Sequence, residues 1–142
     1  SRGLGDVYKR QVCGKPLVVK TKPRLGNGTP FPTLYYLTQS AATAAVSTLE
    51  ASGYMVELQN MLTEDPGVQA AYQKAHHDYL SEREAIEFVE ELKDFSAGGM
   101  PVRVKCLHAL VGHSLAKGPG ANPIGDLALA ALDWSPMRCQ CV

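Results

Sequence analysis

The sequence has no excess charge of either sign, no long apolar run and no Cys-x-x-Cys pair. Its 14 Lys and Arg balance 14 Asp and Glu, so no global field draws the chain to nucleic acid or to an acidic membrane. No apolar run approaches the ~20 residues that span a bilayer, and no secretory leader is visible, so the default expectation is a soluble cytoplasmic protein. Cysteine is scarce: Cys13, Cys106, Cys139 and Cys141 are all there is. Their spacing excludes the paired-cysteine zinc-finger pattern, and without an export signal a disulfide framework is not expected.

What is present is enough chain for one domain, 142 residues, which can bury a core without covalent staples. The first residues, SRGLGDVYKRQ, begin without Met and follow neither a helical nor a strand period. Residues 1–11 are therefore set aside as a non-native or disordered leader, and residues 12–142 are read as a single α-rich domain.

Within that domain PLVVKTKPRL and PFPTLYYLT are rich in β-branched and aromatic residues and flank the turn cluster GNGT, which predicts a small hairpin. The composition then becomes Ala-rich, with Ser40 as N-cap and Gly53 as stop of a first helix, and Tyr54 to Leu62 as a second. Asp65-Pro66 starts a third helix, in which His76 shares a face with Tyr72 and Tyr79 and is a candidate proton-transfer group. The run from Glu82 to Asp94 predicts a helical extension with an acidic exposed side, a surface suited to a partner protein. Asn122-Pro123 repeats the cap-and-proline start for a last helix, with Trp134 covering the end of the core. The predicted fold is α+β, mostly α, a small N-terminal β-hairpin packed on a bundle of about five helices.

The densest chemistry lies in SAGGMPVRVKCLHALVGHSLAK, from Ser96 to Lys117. Gly98 and Gly99 permit a turn, Pro101 suits a first helical position, and Gly118-Pro119-Gly120 is a stop, so a helix is expected from Pro101 to near Lys117. On such a helix Cys106 and His108 point apart, about 200° around the axis, and Cys106 and His113 are separated by about 10.5 Å along it. Any metal or catalytic site must then recruit residues from elsewhere. The helix start, with Arg103, Lys105 and His108, outlines an anion pocket for a phosphate or carboxylate, and hence for a phosphorylated small molecule.

Taken together, NGTPFPTLYYLT, the run from Ala75 to Leu80, AGGMPVRVKCLHALVGHSLAKGPGANPIGD and the closing CQC resemble a bacterial family of unknown function, catalogued as domain of unknown function 501. The resemblance implies no activity. It implies cysteines near the start of the domain, at the junction of the second strand and first helix, in the Lys-Cys-Leu-His helix and near the end; Gln11 and Gln39 stand at two of those places.

Three readings follow, and none assigns a reaction. The leading one is a cytoplasmic domain in which Cys13, Cys106, Cys139 and Cys141, with His108 or His113 as substitute, hold zinc or an iron–sulfur cluster. The second is an anion-binding protein or enzyme using Arg103, Lys105 and His108, with His76 or His108 as acid or base. The third is an interaction module using the acidic stretch.

Overall fold

A helix that is apolar on every side must be wrapped by other elements, and residues 107–117 form such a helix. In the computed structural model, which describes residues 5–10, 14 and 16–136, Leu107, Ala109, Leu110, Val111, Gly112, His113, Ser114 and Ala116 of this helix are all buried. The chain runs β1 (Gly5–Arg10), β2 (Pro16–Thr21), β3 (Tyr35–Leu37), α1 (Ser40–Ala51), α2 (Tyr54–Glu64), α3 (Pro66–Glu84), α4 (Leu107–Lys117) and α5 (Pro123–Ala131). A short 3-10 turn, Glu90–Leu92, lies between α3 and α4. The architecture is α+β and mostly α, as the sequence predicts.

The three strands form one antiparallel sheet in the order β1-β2-β3. The expected hairpin is β2 with β3, Val18 opposite Leu37 and Lys20 opposite Tyr35. β1 lies inside the stretch set aside as a leader and pairs along the other edge of β2, with Val7 opposite Val19. Tyr35 and Leu37 face inward and Tyr36 outward, the alternation of a half-buried strand.

Helix α4 packs against β3 on one side and α5 on the other. Glycine makes both approaches close: a Cβ on Gly112 would lie 2.6 Å from the Tyr35 carbonyl oxygen, and one on Gly125 would lie 2.3 Å from the Leu110 carbonyl oxygen and from Ser114 Oγ. Helix α3 presents a stripe of Tyr72, Ala75, His76, Tyr79 and Arg83, three- and four-residue steps that make one inward face.

The caps follow the sequence. Asp65 accepts from the Gly67 and Val68 N–H groups, and Asn122 accepts from Gly125 N–H. One cap shifts by a residue: Gln39, not Ser40, caps α1, its side chain accepting from Ala42 N–H at 2.6 Å.

Two expected helices are corrected. The helix anticipated at Pro101 starts at Leu107 instead, with Cys106 as its extended N-cap. The six residues before it fold as a turn and an extended run: the Met100–Pro101 peptide is cis, Arg103 N–H donates to Gly99 O, and Lys105 and Cys106 N–H groups donate to Gly98 O. A Cβ at Gly98 would meet Leu110 and one at Gly99 would meet the Arg103 carbonyl, and both glycines adopt positive φ, so this turn requires them.

The second correction concerns residues 82–94. Helix α3 ends at Glu84 rather than continuing to Asp94, because Arg83 turns inward and gathers the following chain. Its guanidinium, 2% exposed, donates to the carbonyls of Pro32 (2.7 Å), Ser96 (2.9 Å), Leu92 (2.7 Å) and Phe95 (2.5 Å). A helix continued to Asp94 would carry the chain straight on and away from Arg83, so Leu92, Phe95 and Ser96 could not converge on one guanidinium. The outer side remains acidic, with Ile86, Phe88 and Phe95 exposed among the carboxylates.

Candidate functional site

The late start of α4 reverses the expected opposition of Cys106 and His108. Cys106 has extended backbone (φ −137°, ψ 105°), so it does not follow the helical rotation that would turn it from His108. Glu50, near the end of α1, joins them. One ligand atom from each of Glu50, Cys106 and His108 lies within 4.8 Å of the others, and all three residues are half-buried.

The carboxylate is held from behind. Glu50 Oε2 accepts from Leu107 N–H at 2.9 Å, capping α4 where the Cys106 side chain makes no cap bond. The helix N-terminus therefore already carries an anion of this chain's own. His108 is held from both sides. Its Nε2 lies 3.3 Å from the Thr43 carbonyl oxygen and 3.2 Å from Ser47 Oγ, while Nδ1 faces Glu50 Oε2 at 3.4 Å.

A carbonyl oxygen only accepts, so a hydrogen bond to Thr43 needs the proton on Nε2, whereas one accepted from the Ser47 hydroxyl leaves it on Nδ1, facing Glu50. In the first tautomer Nδ1 carries a lone pair 3.4 Å from a carboxylate oxygen, and a metal ion between the two would be held by both. In that tautomer His108 is not a base for Ser47, although Ser47, His108 and Glu50 stand in the order of a hydrolase triad, because Nε2 cannot both donate to Thr43 and take the Ser47 proton.

Beside the cluster lies a cavity of about 250 Å³ whose wall includes Cys106 and His108 together with Thr33, Tyr36, Leu37, Thr43 and Ala109.

The other predicted site residues go elsewhere. His113 is 1% exposed, stacked on Tyr35 at 5.9 Å and edge-on to Tyr79 at 5.1 Å. Gly125 N–H donates to Asn122 Oδ1 at 2.9 Å, which turns the Asn122 amide NH2 toward His113 Nδ1 at 3.2 Å. Nδ1 is thus an acceptor already in use, and His113 does not join Cys106. Burial pushes its pKa down to about 4, as a neutral ring in an apolar aromatic cage requires.

His76 is also buried and hydrogen-bonds Ser96 Oγ at 2.7 Å. Burial, then the neighbouring His77 and Arg83, lower its pKa. Arg103 and Lys105 are exposed and precede α4 instead of forming its first turn, so the helix expected to carry an anion there does not contain them. Cys13, Cys139 and Cys141, like Gln11, lie outside the described residues.

Sequence reasoning missed Glu50 and Ser47. They lie three residues apart on one turn of α1, the spacing that puts two side chains on a common helix face; that pair of polar residues in an Ala-rich helix was the available signal. Gln39, at a position where the resembled family places cysteine, is 8% exposed and serves as the α1 cap.

Residues 7–130 match the family described as protein of unknown function, DUF501. The chain belongs to that family. The DUF501 match contains Glu50, Cys106 and His108 and stops before Cys139 and Cys141, so the assembled cluster lies wholly inside the shared domain. No curated protein and no solved structure matches the chain. No described helix of this DUF501 member is long and apolar enough to cross a membrane.

Proposed function

We propose that this domain binds a single divalent metal ion of the zinc class through Glu50, Cys106 and His108. One observation carries the reading: His108 Nδ1, oriented by the Thr43 carbonyl behind Nε2, faces the Glu50 carboxylate at 3.4 Å. Donors around tetrahedral zinc stand roughly 3.3–3.8 Å apart, given metal–ligand distances of about 2.0–2.3 Å, so this pair is spaced for a shared ion.

The supporting shell has the arrangement that metal centres use. The non-ligating nitrogen of His108 would donate to the Thr43 carbonyl, 3.3 Å away, and the carboxylate accepts from a backbone N–H at 2.9 Å, contacts that orient ligands. One thiolate, one imidazole and one carboxylate suit a borderline ion better than an iron–sulfur cluster, which takes mostly thiolates. Three protein donors leave a fourth position open, the pattern of a reactive rather than a structural site.

The test is a cobalt titration of the full chain followed by absorption. A one-to-one complex with a thiolate-to-cobalt charge-transfer band is expected, displaced by zinc and lost in Cys106→Ser. His108→Ala should weaken affinity by about a hundredfold or more, since it removes a ligand where even an orienting partner is worth about 10–100-fold. A wild-type chain that stays metal-free under excess cobalt overturns the proposal and leaves an ordinary contact between His108 and Glu50.

A further inference from the structure

We infer that the cavity beside this centre receives a small uncharged carbonyl compound as the fourth ligand of the ion. The inference rests on the proposed metal site and adds the chemical class of what binds there.

Three observations carry it. Cys106 and His108 are themselves part of the cavity wall, so an ion held by them borders the cavity at its open coordination position. The volume, about 250 Å³, is below the roughly 300–1,000 Å³ of pockets for drug-sized ligands, which limits the occupant to a small molecule. The third is charge. A divalent ion with one carboxylate and one thiolate is electrically neutral, and the rest of the wall, Thr33, Tyr36, Leu37, Thr43 and Ala109, carries no charged side chain. A phosphate or free carboxylate would enter a centre whose charge is already balanced, would make it net negative, and would lose its hydration. A neutral carbonyl oxygen loses little on entry and is the donor that such an ion polarises. Leu37 and Ala109 suit an aliphatic portion, and the threonine and tyrosine hydroxyls supply orienting groups.

Cobalt-loaded full chain titrated with acetamide, a small carbonyl compound that stays uncharged when it coordinates, tests this, with acetate as the charged control of matching acyl group. The visible cobalt bands should shift saturably with acetamide, and acetate should bind at least tenfold more weakly. Thr33→Leu, which fills the cavity from a wall position that contacts no ligand residue, should keep the cobalt spectrum and lose at least tenfold in acetamide affinity. Should that variant fail to fold, Tyr36→Ala, at an exposed wall position, should open the cavity enough to admit benzamide at least tenfold more tightly than wild type. Cobalt bands that ignore acetamide, tighter binding of acetate, or wall variants that bind like wild type would each overturn the cavity inference while leaving the metal site standing. Absence of the cobalt complex itself would remove both.

Discussion

His108 and His113 sit five residues apart on the same helix, and they show the two fates open to an imidazole in a folded chain. His113, inside the aromatic cage of Tyr35 and Tyr79, has its acceptor met by Asn122 and is kept neutral by burial. His108, at the open end of α4, has Nε2 beside the Thr43 carbonyl and Ser47 Oγ while its other nitrogen faces a carboxylate. The first is complete without a ligand. The second is where the proposed metal ion would be held. The buried imidazole is enclosed by the fold, and the candidate site is the imidazole–carboxylate pair at a half-buried edge.

If the buried side is purely structural, its substitutions should register as stability, and those at the open end as metal affinity. The largest effect belongs to Arg83. Arg83→Ala removes a donor from four carbonyls, of which Leu92 O keeps the Phe95 N–H, and a loss of about 4 kcal/mol in urea unfolding is expected. A loss below about 1 kcal/mol would show that the segment from Ala85 to Ser96 holds its shape without that guanidinium.

Next comes pH. The folded pKa of His113 is lowered to about 4 from the ordinary value of 6.5, so the unfolded chain takes up the proton first as pH falls. The stability contributed by the neutral ring is therefore full above about 6.5 and is lost progressively down to about 4, a total of about 3 kcal/mol. His76, whose pKa is also lowered, adds a slope of the same sign. Stepwise urea unfolding across that window should show the loss, and His113→Gln should remove most of it. A slope unchanged in His113→Gln would break the contrast between the two histidines.

A smaller effect tests the α4–α5 approach. Gly125→Ala places a methyl group against the Leu110 carbonyl and Ser114 Oγ and should cost about 2 kcal/mol in thermal or urea unfolding. Smallest in stability is Glu50→Gln, which keeps an acceptor for Leu107 N–H and removes the charge; the metal-free protein should change by less than about 1 kcal/mol. The same variant should lose cobalt affinity at least tenfold, measured by competition with a chelator. A large stability loss without an affinity change would make Glu50 a helix cap and nothing more.

Much of the framework was legible because it is written locally. Asp65-Pro66 and Asn122-Pro123 mark their helices by side-chain chemistry within four residues, and the β2–β3 hairpin is announced by its composition. The start of α4 was not, because Pro101 suits both a helical first turn and the turn it occupies, and what decides between them is nonlocal. Gly98 accepts from Lys105 and Cys106 seven and eight residues on, and Gly98 itself packs on Leu110. Moving the helix start from Pro101 to Leu107 changed the site entirely, since the 200° separation of Cys106 and His108 holds only if both are helical. Glu50 could not be read at all, because its partners lie 57 and 58 residues away in the chain. Arg83 was hidden by type: among the carboxylates of an acidic stretch it reads as a surface ion-pair partner, and only the fold shows it swallowed by carbonyls.

Asn122 carries one more consequence. Its single side chain, 0% exposed, caps α5 through Gly125 N–H and reaches Met100 Sδ at 3.3 Å and His113 Nδ1 at 3.2 Å. The first turn of α5, the middle of α4 and the turn around Met100 are thus tied through one amide, so none can open alone without stranding a buried polar group. They should behave as a single cooperative unit, with backbone amides that exchange with solvent deuterium at one common, slow rate, while the exposed segment between Ala85 and Phe95 exchanges ahead of them.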